Sequence, residues 1–586
     1  MRWSLDNLYS SFESSEFKND YEDFKKEIKK IIFWAEENLT SQGDEIKKME
    51  EYILLSNNFA KYTKIYYYSN LILSVESENQ TATKILDNIE NELTELEKPK
   101  VMFQSFLGKI SDLEQKIKSS HLLEEHRFIL QEMKEQSKYM LSEKEEMAIA
   151  KLQNTGSSSW TKLQEQLTAT LLVDITIDGE PKLLPLTEVR SFASSPDSEL
   201  RKKAYLAELA SYEKVDKPVA ASLNSIKGEV ITIAKLRGYA SPLEMTLINS
   251  RMDRKTLDAL LEAMEEFLPQ IRKYLKAKAN ILKHKNALPF YDISAPIGEV
   301  EMKFSYEEAK NFIIKNFTDF SKKLGDFAKK AFEEDWIDAE IRIGKRGGAF
   351  CENLHIIGES RIMANFDGSF GEILTLAHEL GHAYHGDCLN NETYLNSDYC
   401  MPIAETASTF CENIISKAAL KTASDEEKKV ILENELQGTT QVIVDIFSRF
   451  LFEGEVFKQR ENGPLSVAEL KDIMIDAQIS AYGDSLEEEF LHPYMWLCKP
   501  HYYSADYNYY NFPYAYGLLF AKGLYSMYLE KGEAFIPLYD ELLASTGKNN
   551  LVDVAKSAGI DVTSKDFWVS SLKVIKQEVD EFLKLG

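Results

Sequence analysis

Residues 370–385 read Phe370-Gly-Glu-Ile-Leu-Thr-Leu-Ala-His-Glu-Leu-Gly-His-Ala-Tyr-His385. Apolar residues recur in this segment every three or four positions, as on the buried face of a helix. At its start, Ser369 and Glu372 form a Ser-x-x-Glu sequence, which is typical of a capping box at a helix N-terminus. The pattern predicts a predominantly buried helix that begins near residue 370.

Within this predicted helix, His378-Glu-Leu-Gly-His382 is an HExxH pentapeptide. Residues four apart lie on one face of a helix, so the two imidazoles can reach a single ion. Imidazole nitrogen suits Zn²⁺, and a zinc hydrolase has three protein ligands and one open position. The pentapeptide therefore predicts a zinc site with one ion per chain. Glu379 is then placed to act as general base toward a water activated by the metal.

The third metal ligand is expected from a neighbouring helix. Pro402 suits the first turn of a helix, and Glu405 lies in that same turn. Glu412, two turns farther along, is the alternative carboxylate. Ser408, one turn after Glu405, is a candidate hydrogen-bond partner of that ligand. We predict His378 and His382 as ligands together with Glu405, and Glu412 is the second choice.

One glycine and three further histidines are expected to have structural rather than ligand roles. Gly381 lowers helix propensity by about 1 kcal/mol relative to alanine, so we expect another element to pack closely there. His385 leaves the helix face of His378, and we expect it in the core or beside the ligands. His355 and His492 are isolated histidines and are interpreted as structural.

The rest of the chain is mostly helical in pattern. Amphipathic helices are predicted over 44–73 and 81–110, where apolar residues alternate with Glu and Lys at helical spacing. Strand-like residues flank Asp178-Gly179, which predicts a β-hairpin near 171–186. A loop at 194–197 marks the predicted boundary between an N-terminal helical lobe (1–195) and a catalytic domain (196–586).

Composition restricts the class of function. The 586 residues are 44% hydrophobic and 28% charged, as in ordinary globular proteins. A net charge of −26 argues against binding to nucleic acid or anionic membranes, which requires clustered basic residues. No segment predicts a membrane span or a secretory signal, and the five cysteines form no CxxC motif. We expect a cytoplasmic protein with free thiols.

The segment His501-Tyr-Tyr-Ser-Ala-Asp-Tyr-Asn-Tyr-Tyr-Asn-Phe-Pro-Tyr-Ala-Tyr-Gly517 is rich in tyrosine. Tyrosines stack on peptide side chains and donate hydrogen bonds, so this composition suits a substrate groove. Peptide hydrolysis also needs donors aimed at the oxyanion of the tetrahedral intermediate, and His501 and one or more of the tyrosines are candidates. A tyrosine-rich helix packed between two lobes is the alternative interpretation.

The sequence resembles the oligoendopeptidase F family of zinc peptidases, which is related to thimet oligopeptidase and neurolysin. The resemblance rests on residues 376–385, on Glu405-Thr-Ala-Ser408 and on Pro500-His-Tyr-Tyr503 with the tyrosines that follow. Trp3-Ser-Leu-Asp-Asn-Leu-Tyr9 and Arg201-Lys-Lys-Ala-Tyr205 also look like that family. The resemblance spans nearly the whole chain.

This resemblance implies a mostly α-helical, two-lobed ellipsoid. A deep channel would hold the zinc, with a small β element beside the zinc helix. Narrow access in such a channel restricts substrates to short unstructured peptides, so the implied activity is that of a zinc-dependent oligoendopeptidase. The family also implies that residues 361–366 form an edge strand that pairs with the peptide backbone.

Functional residues of the family map onto single positions of this chain. The metal ligands correspond to His378, His382 and Glu405, and the general base corresponds to Glu379. The histidine that stabilises the transition state looks like His501.

The tyrosine nine positions after that histidine is Tyr510. The family often has a tyrosine five positions after the histidine, where this chain has Asp506. The tyrosines that remain candidates for this role or for contact with the substrate are Tyr503, Tyr507 and Tyr514.

Two other functions stay open at this point. A dipeptidyl carboxypeptidase-type zinc peptidase would need a cation that receives a terminal carboxylate. A non-catalytic peptide-binding protein would keep the helical shell without the chemistry. The sequence specifies neither the cleavage preference, the peptide length nor the oligomeric state, and cobalt or manganese could replace zinc.

Overall fold

The computed structural model describes residues 1–285, 287–298 and 302–585, and most of them are helical. This confirms the mostly α fold class. The helices of the first half are α1 (Ser15–Asn38), α2 (Glu45–Phe59), α3 (Thr63–Val75), α4 (Gln80–Thr94), α5 (Glu97–Lys109), α6 (Leu113–Lys118), α7 (His121–Glu125), α8 (Arg127–Gln136), α9 (Glu143–Thr155), α10 (Ser157–Ala169), α11 (Leu186–Ser191), α12 (Ser198–Tyr212), α13 (Asp216–Arg237), α14 (Pro242–Asn249) and α15 (Arg254–Ile281).

The second half continues with further helices. They are α16 (Tyr306–Phe320), α17 (Lys322–Glu333), α18 (Phe370–Leu389), α19 (Met401–Ala404), α20 (Thr406–Thr422), α21 (Asp425–Thr440), α22 (Ile446–Arg460), α23 (Val467–Tyr482), α24 (Phe512–Lys531), α25 (Ile536–Ser545), α26 (Leu551–Ser557) and α27 (Lys565–Leu585). A π-helical turn, Gln441–Asp445, joins α21 to α22. Within the described residues, no helix has both the length and the apolar character needed to cross a bilayer.

The chain divides into two compact units, and it passes between them several times. Unit 1 comprises Met1–Met140, Glu301–Ala419 and Met527–Ile560. Unit 2 comprises Leu141–Val300, Leu420–Ser526 and Asp561–Gly586. Position 195 lies inside unit 2, and the division into a lobe over 1–195 and a catalytic domain over 196–586 stays a prediction.

The predicted hairpin is confirmed in unit 2. Strands β1 (Leu172–Ile177) and β2 (Glu180–Pro185) pair antiparallel, with Ile177 opposite Glu180. Asp178 and Gly179 have φ angles of 55° and 81°, so both central residues of the turn are left-handed. Such a turn matches the twist of the two strands, and it explains why an Asp-Gly pair stands there.

A three-stranded sheet in unit 1 lies beside α18. Its strands are β3 (Ile337–Asp338), β4 (Phe350–Leu354) and β5 (Glu359–Met363), in the order β3-β5-β4. The expected edge strand at 361–366 is therefore wrong, because β5 is central and pairs on both sides. Among the described strands, β4 is an edge, and its polar residues gave no strand pattern in the sequence.

Helix α18 is the buried centre of unit 1. Its apolar face is fully buried and consists of Ile373, Leu376, Ala377, Leu380 and Ala383. The helix contacts β4, β5 and α25, all of which belong to the same unit. Segments distant in sequence therefore surround α18, and they fix the position of the two histidines that it carries.

Candidate metal centre and active site

Helix α18 begins where the sequence predicts, with one difference in its cap. The side chain of Ser369 accepts a hydrogen bond from the Glu372 amide at 3.3 Å. Glu372 does not return the bond of a capping box, because the Ser369 amide donates instead to Asp367 Oδ1 at 2.8 Å. Two side chains thus satisfy free amides at this helix end.

His378, His382 and Glu405 come together, and their ligand atoms all lie within 4.8 Å of one another. The Nε2 atoms of the two histidines are 3.1 Å apart. Glu405 Oε2 lies 3.2 Å from His378 Nε2 and 3.4 Å from His382 Nε2. Two nitrogens and one carboxylate oxygen therefore converge on one point.

These distances fit a divalent ion in tetrahedral coordination. Two ligand atoms bound to zinc at about 2.0–2.1 Å are separated by roughly 3.3 Å when the geometry is tetrahedral. The three separations of 3.1–3.4 Å bracket that value. The three residues could therefore hold the ion and leave a fourth position for water.

A close approach between two helices brings Glu405 to the histidines. A Cβ atom on Gly381 would lie only 2.5 Å from Ala407 O and 2.6 Å from Ser408 Cα. The absence of a side chain therefore lets α20 lie against α18, as expected. Glu405 itself lies at a one-residue break between α19 and α20, rather than inside the first turn of one helix.

Ser408 contacts Glu405 in the way the sequence predicts. Its hydroxyl lies 3.0 Å from Glu405 Oε2 and 3.0 Å from the Glu405 carbonyl oxygen. A hydroxyl that bonds to a backbone carbonyl one turn earlier competes with the helix ladder. The Glu405 carbonyl oxygen also accepts from the Thr409 amide at 3.1 Å, so the first bond of α20 is made there, and the bond from Ser408 to Oε2 restrains the carboxylate.

Glu412, the alternative ligand, lies on the other side of the His378 ring. One of its oxygens is hydrogen-bonded to Nδ1 of His378. A carboxylate there fixes the tautomer in which Nε2 presents its lone pair to a metal. Its spacing of two turns from Glu405 predicts the same helix face, but nothing in the sequence distinguishes an ion ligand from a partner of the histidine.

The carboxylates around His378 favour its protonated form, which competes with metal binding. Burial lowers the pKa of His378, but the carboxylates of Glu405 and Glu412 outweigh it and raise that pKa to about 10. Burial alone would raise the pKa of Glu405, but hydrogen bonds and charge from His378 and His382 outweigh this effect and lower it. A metal must therefore displace a proton from His378, so its affinity rises with pH.

Glu379 is buried beside the candidate ligands and is 6% exposed. Its Oε2 atom has no hydrogen-bond partner among the described residues. Burial raises the pKa of Glu379, and the neighbouring His378 and His382 partly offset the increase. A carboxylate whose basicity is moved toward neutral pH, next to a metal position, suits a general base.

The other histidines near the motif lie outside the ligand group. His385 is fully buried, with Nε2 2.8 Å from Thr546 Oγ1, and burial lowers its pKa to about 3. His355 Nε2 lies 3.1 Å from the Glu392 carbonyl oxygen. In unit 2, the His492 ring lies within 6 Å of the rings of Tyr205 and Phe290.

In unit 2, His501 lies in a short 3₁₀ turn, Pro500–Tyr503, and contacts two of the predicted tyrosines. Its ring centroid is 5.1 Å from that of Tyr510 and 6.4 Å from that of Tyr514. Tyr507 stands 6.0 Å from Tyr510 and is 67% exposed. Burial lowers the pKa of His501, and the charges of Arg449 and Lys499 lower it further.

Tyr503 was predicted to contact the substrate, but its position in the structure does not allow this. This side chain is 0% exposed and packs in the core of unit 2. Its hydroxyl donates a hydrogen bond to the Trp496 carbonyl oxygen at 3.2 Å. The sequence indicates a tyrosine-rich segment, but it does not show which of these side chains are buried in the core.

The chain is similar to known families and proteins. A family model described as Peptidase family M3 matches residues 191–574, and one described as Oligopeptidase F matches residues 110–172. Oligopeptidase PepF of Bacillus subtilis is 27% identical over 81% of this chain and 71% of its own length. The chromosomal oligoendopeptidase F of Lactococcus lactis subsp. cremoris is 28% identical over 70% of this chain and 67% of its own length.

The fold also matches solved structures. A protein from Chlamydophila abortus superposes with a TM-score of 0.87 at 22% sequence identity. The match covers 100% of this chain and 98% of that one. The segments that carry the candidate ligands, Glu379 and His501 all lie within residues 191–574.

Proposed function

The chain belongs to peptidase family M3, and we propose that it is a zinc-dependent oligoendopeptidase that hydrolyses internal bonds of short unstructured peptides. Membership makes it a metallopeptidase with peptides as substrates. The convergence of His378, His382 and Glu405 beside Glu379 is the observation that carries the finer proposal. We further propose a cytoplasmic location and one metal ion per chain.

The proposed ligands are His378, His382 and Glu405. Zinc held by them would act as a Lewis acid and lower the pKa of water to near 7. Glu412 bonds to Nδ1 of His378 and so leaves Nε2 free to bind a metal, and Ser408 restrains the carboxylate of Glu405. These two residues act through the ligands rather than on the substrate.

Glu379 performs both proton transfers in the proposed reaction. Its carboxylate takes a proton from the attacking water as the oxygen adds to the peptide carbonyl. The same proton then passes to the nitrogen of the leaving amine as the C–N bond breaks. Its raised pKa favours this role, because the group must both accept and release a proton.

His501 and Tyr510 are assigned to the oxyanion that forms when water adds to the carbonyl. A lowered pKa keeps the His501 imidazole neutral, and one of its nitrogens then carries a hydrogen that can be donated. The phenol of Tyr510, next to this ring, is the second proposed donor. Removal of one such donor costs about 10²–10³ in kcat. Tyr507 and Tyr514 are proposed to contact the substrate.

The test is mass spectrometry of a peptide mixture incubated with the zinc-loaded protein, with and without a chelator. Half of the peptides carry blocked termini at both ends. We expect internal cleavage of blocked and free peptides alike, and its loss with chelator. Cleavage of free peptides only would instead favour a dipeptidyl carboxypeptidase, and binding without cleavage would favour a non-catalytic protein.

A further inference from the structure

Glu352 stands in the middle of the edge strand β4, and its carboxylate has no protein partner among the described residues. No side-chain hydrogen bond or ion pair joins it to another residue in the described part of the chain. The side chain is partly buried, and burial raises its pKa to about 7. Partial burial of a charged carboxylate that has no protein partner lowers the stability of the fold. This cost indicates that the carboxylate has a function, such as binding a ligand.

Strand β4 connects this carboxylate to the candidate metal helix. Asn353, the next residue, donates a hydrogen bond from Nδ2 to the His382 carbonyl oxygen at 3.3 Å. Side chains alternate along a strand, so Glu352 points to the opposite face, where Leu354 packs in the core of the N-terminal helices. Glu352 is therefore one residue away from a direct contact with the ligand helix.

Two tyrosines of α3, Tyr66 and Tyr67, lie near enough to the carboxylate for its charge to act on both. Burial raises the pKa of Tyr66 and of Tyr67, and the negative charge of Glu352 adds to the increase in both. A carboxylate combined with aromatic faces matches a cationic side chain, which gains from an ion pair and from cation–π contact.

We propose that Glu352 binds a lysine or arginine side chain of the peptide and makes the enzyme favour basic substrates. This inference rests on the proposed function and on pairing of the peptide with the free edge of β4. In such a pair, the peptide residue opposite Glu352 points its side chain to the same face of the sheet. That side chain meets the carboxylate and the rings of Tyr66 and Tyr67.

In the described part of the chain, none of the charged groups near Glu352 forms an ion pair with it. Arg361, its cross-strand partner, is 1% exposed and bonds instead to the Ser4 carbonyl oxygen and to Glu359. The titratable groups around Glu352 are Cys351 on β4, Arg361 and Glu359 on β5, Tyr66 and Tyr67 on α3, and Tyr399. Arg346 and Glu90 also act on Tyr66, and Asp398 and Tyr394 also act on Tyr67. The preference for basic peptides should therefore increase as pH rises through about 7, when Glu352 ionises.

The experiment compares quenched fluorescent peptides, blocked at both ends, that differ only by lysine, norleucine or glutamate at one position. Each position around the scissile bond is varied in turn, and kcat/KM is measured at pH 6 and pH 8 with zinc-loaded protein. At one position we expect lysine to exceed norleucine about tenfold at pH 8 and less at pH 6. Glu352→Gln should abolish the difference between the lysine and norleucine peptides at pH 8, and Glu352→Lys should favour glutamate.

Glu90→Gln is the matched control, because Glu90 is an exposed carboxylate that also influences Tyr66. It should keep the preference for lysine. Retention of that preference in Glu352→Gln, or its absence in the unmodified protein, would overturn the inference. Calorimetric binding of the same peptides to Glu379→Gln protein separates the two proposals. Selective binding without any cleavage by the unmodified protein would contradict the proposed function and support the role of Glu352.

Discussion

The carboxylate of Glu379 is buried next to the candidate ligands but does not belong to them. Glu379→Gln keeps the shape of the side chain and removes its ability to accept a proton. We expect zinc content, measured by atomic emission, to remain at one ion per chain. Turnover of a blocked peptide should fall by at least about 10²–10⁴, the range typical of general base catalysis. Activity within twofold of the original would exclude Glu379 as the base.

Glu412 shows how a residue outside the ligand set can control the metal. Its carboxylate accepts from His378 Nδ1 and orients the ring. Glu412→Gln should weaken zinc binding by about 10–100-fold, since the partner of a ligating histidine tunes its basicity. Competition with a fluorescent chelator measures the change. Equal affinities would mean that the ring is held by packing alone.

Glu352 also predicts a dependence of stability on pH. Its pKa in the fold is about 7, above the ordinary value of 4.5, because burial penalises the charge. A raised carboxyl pKa gives stability that is present below about pH 4.5 and lost as pH rises through about 7. Glu352→Gln should therefore be more stable than the original at pH 8, by at most about 3 kcal/mol, and equal to it at pH 4.5.

Urea unfolding midpoints at both pH values test this prediction, with Glu90→Gln as the control. A variant less stable than the original at pH 8 would show that Glu352 has a stabilising partner. A gain in stability together with a loss of selectivity would identify a carboxylate kept for function at the expense of stability.

Among the elements, α18 and α20 are the pair that forms the metal site. Gly381→Ala places a Cβ atom 2.5 Å from Ala407 O and must push the two helices apart. We expect a loss of about 1–3 kcal/mol in stability. Zinc binding should also weaken, because Glu405 directly precedes α20 and moves with it away from the two histidines. Thermal unfolding with and without zinc measures both effects.

Gly371→Ala is the matched control in the same helix, since its nearest neighbour, Ser369 Oγ, would be 3.7 Å from the new atom. It should leave zinc binding unchanged and stability equal or slightly higher. If both variants behaved alike, close packing at Gly381 would not control the site.

Helices and hairpins that depend on nearby residues could be predicted from the sequence. The order of strands in the sheet could not, because it depends on pairing between segments distant in sequence. Helix α18 follows from its apolar spacing, and the hairpin follows from Asp178-Gly179. The order β3-β5-β4 depends on pairing with Ile337–Asp338, a strand too short to show a period. The one-residue break at Glu405, between α19 and α20, is not revealed by a continuous helical pattern over 403–415.

For the whole molecule, the same distinction separates the ligands from the tyrosines. The HExxH spacing places His378 and His382 on one helix face before any tertiary contact is considered. The orientation of each tyrosine after His501 depends on the packing of unit 2, so Tyr503 turned out to be buried while Tyr507 is exposed. The role proposed for Glu352 could not be predicted from the sequence, because it depends on β4 lying beside α3.

The most direct measurement is an anomalous difference map at the zinc absorption edge, from crystals grown with zinc. We predict one strong peak per chain, about 2.0–2.2 Å from Nε2 of His378, Nε2 of His382 and a carboxylate oxygen of Glu405. A peak bound to other residues, or a zinc ion that the histidines hold without Glu405 or another protein ligand, would contradict the proposed active site.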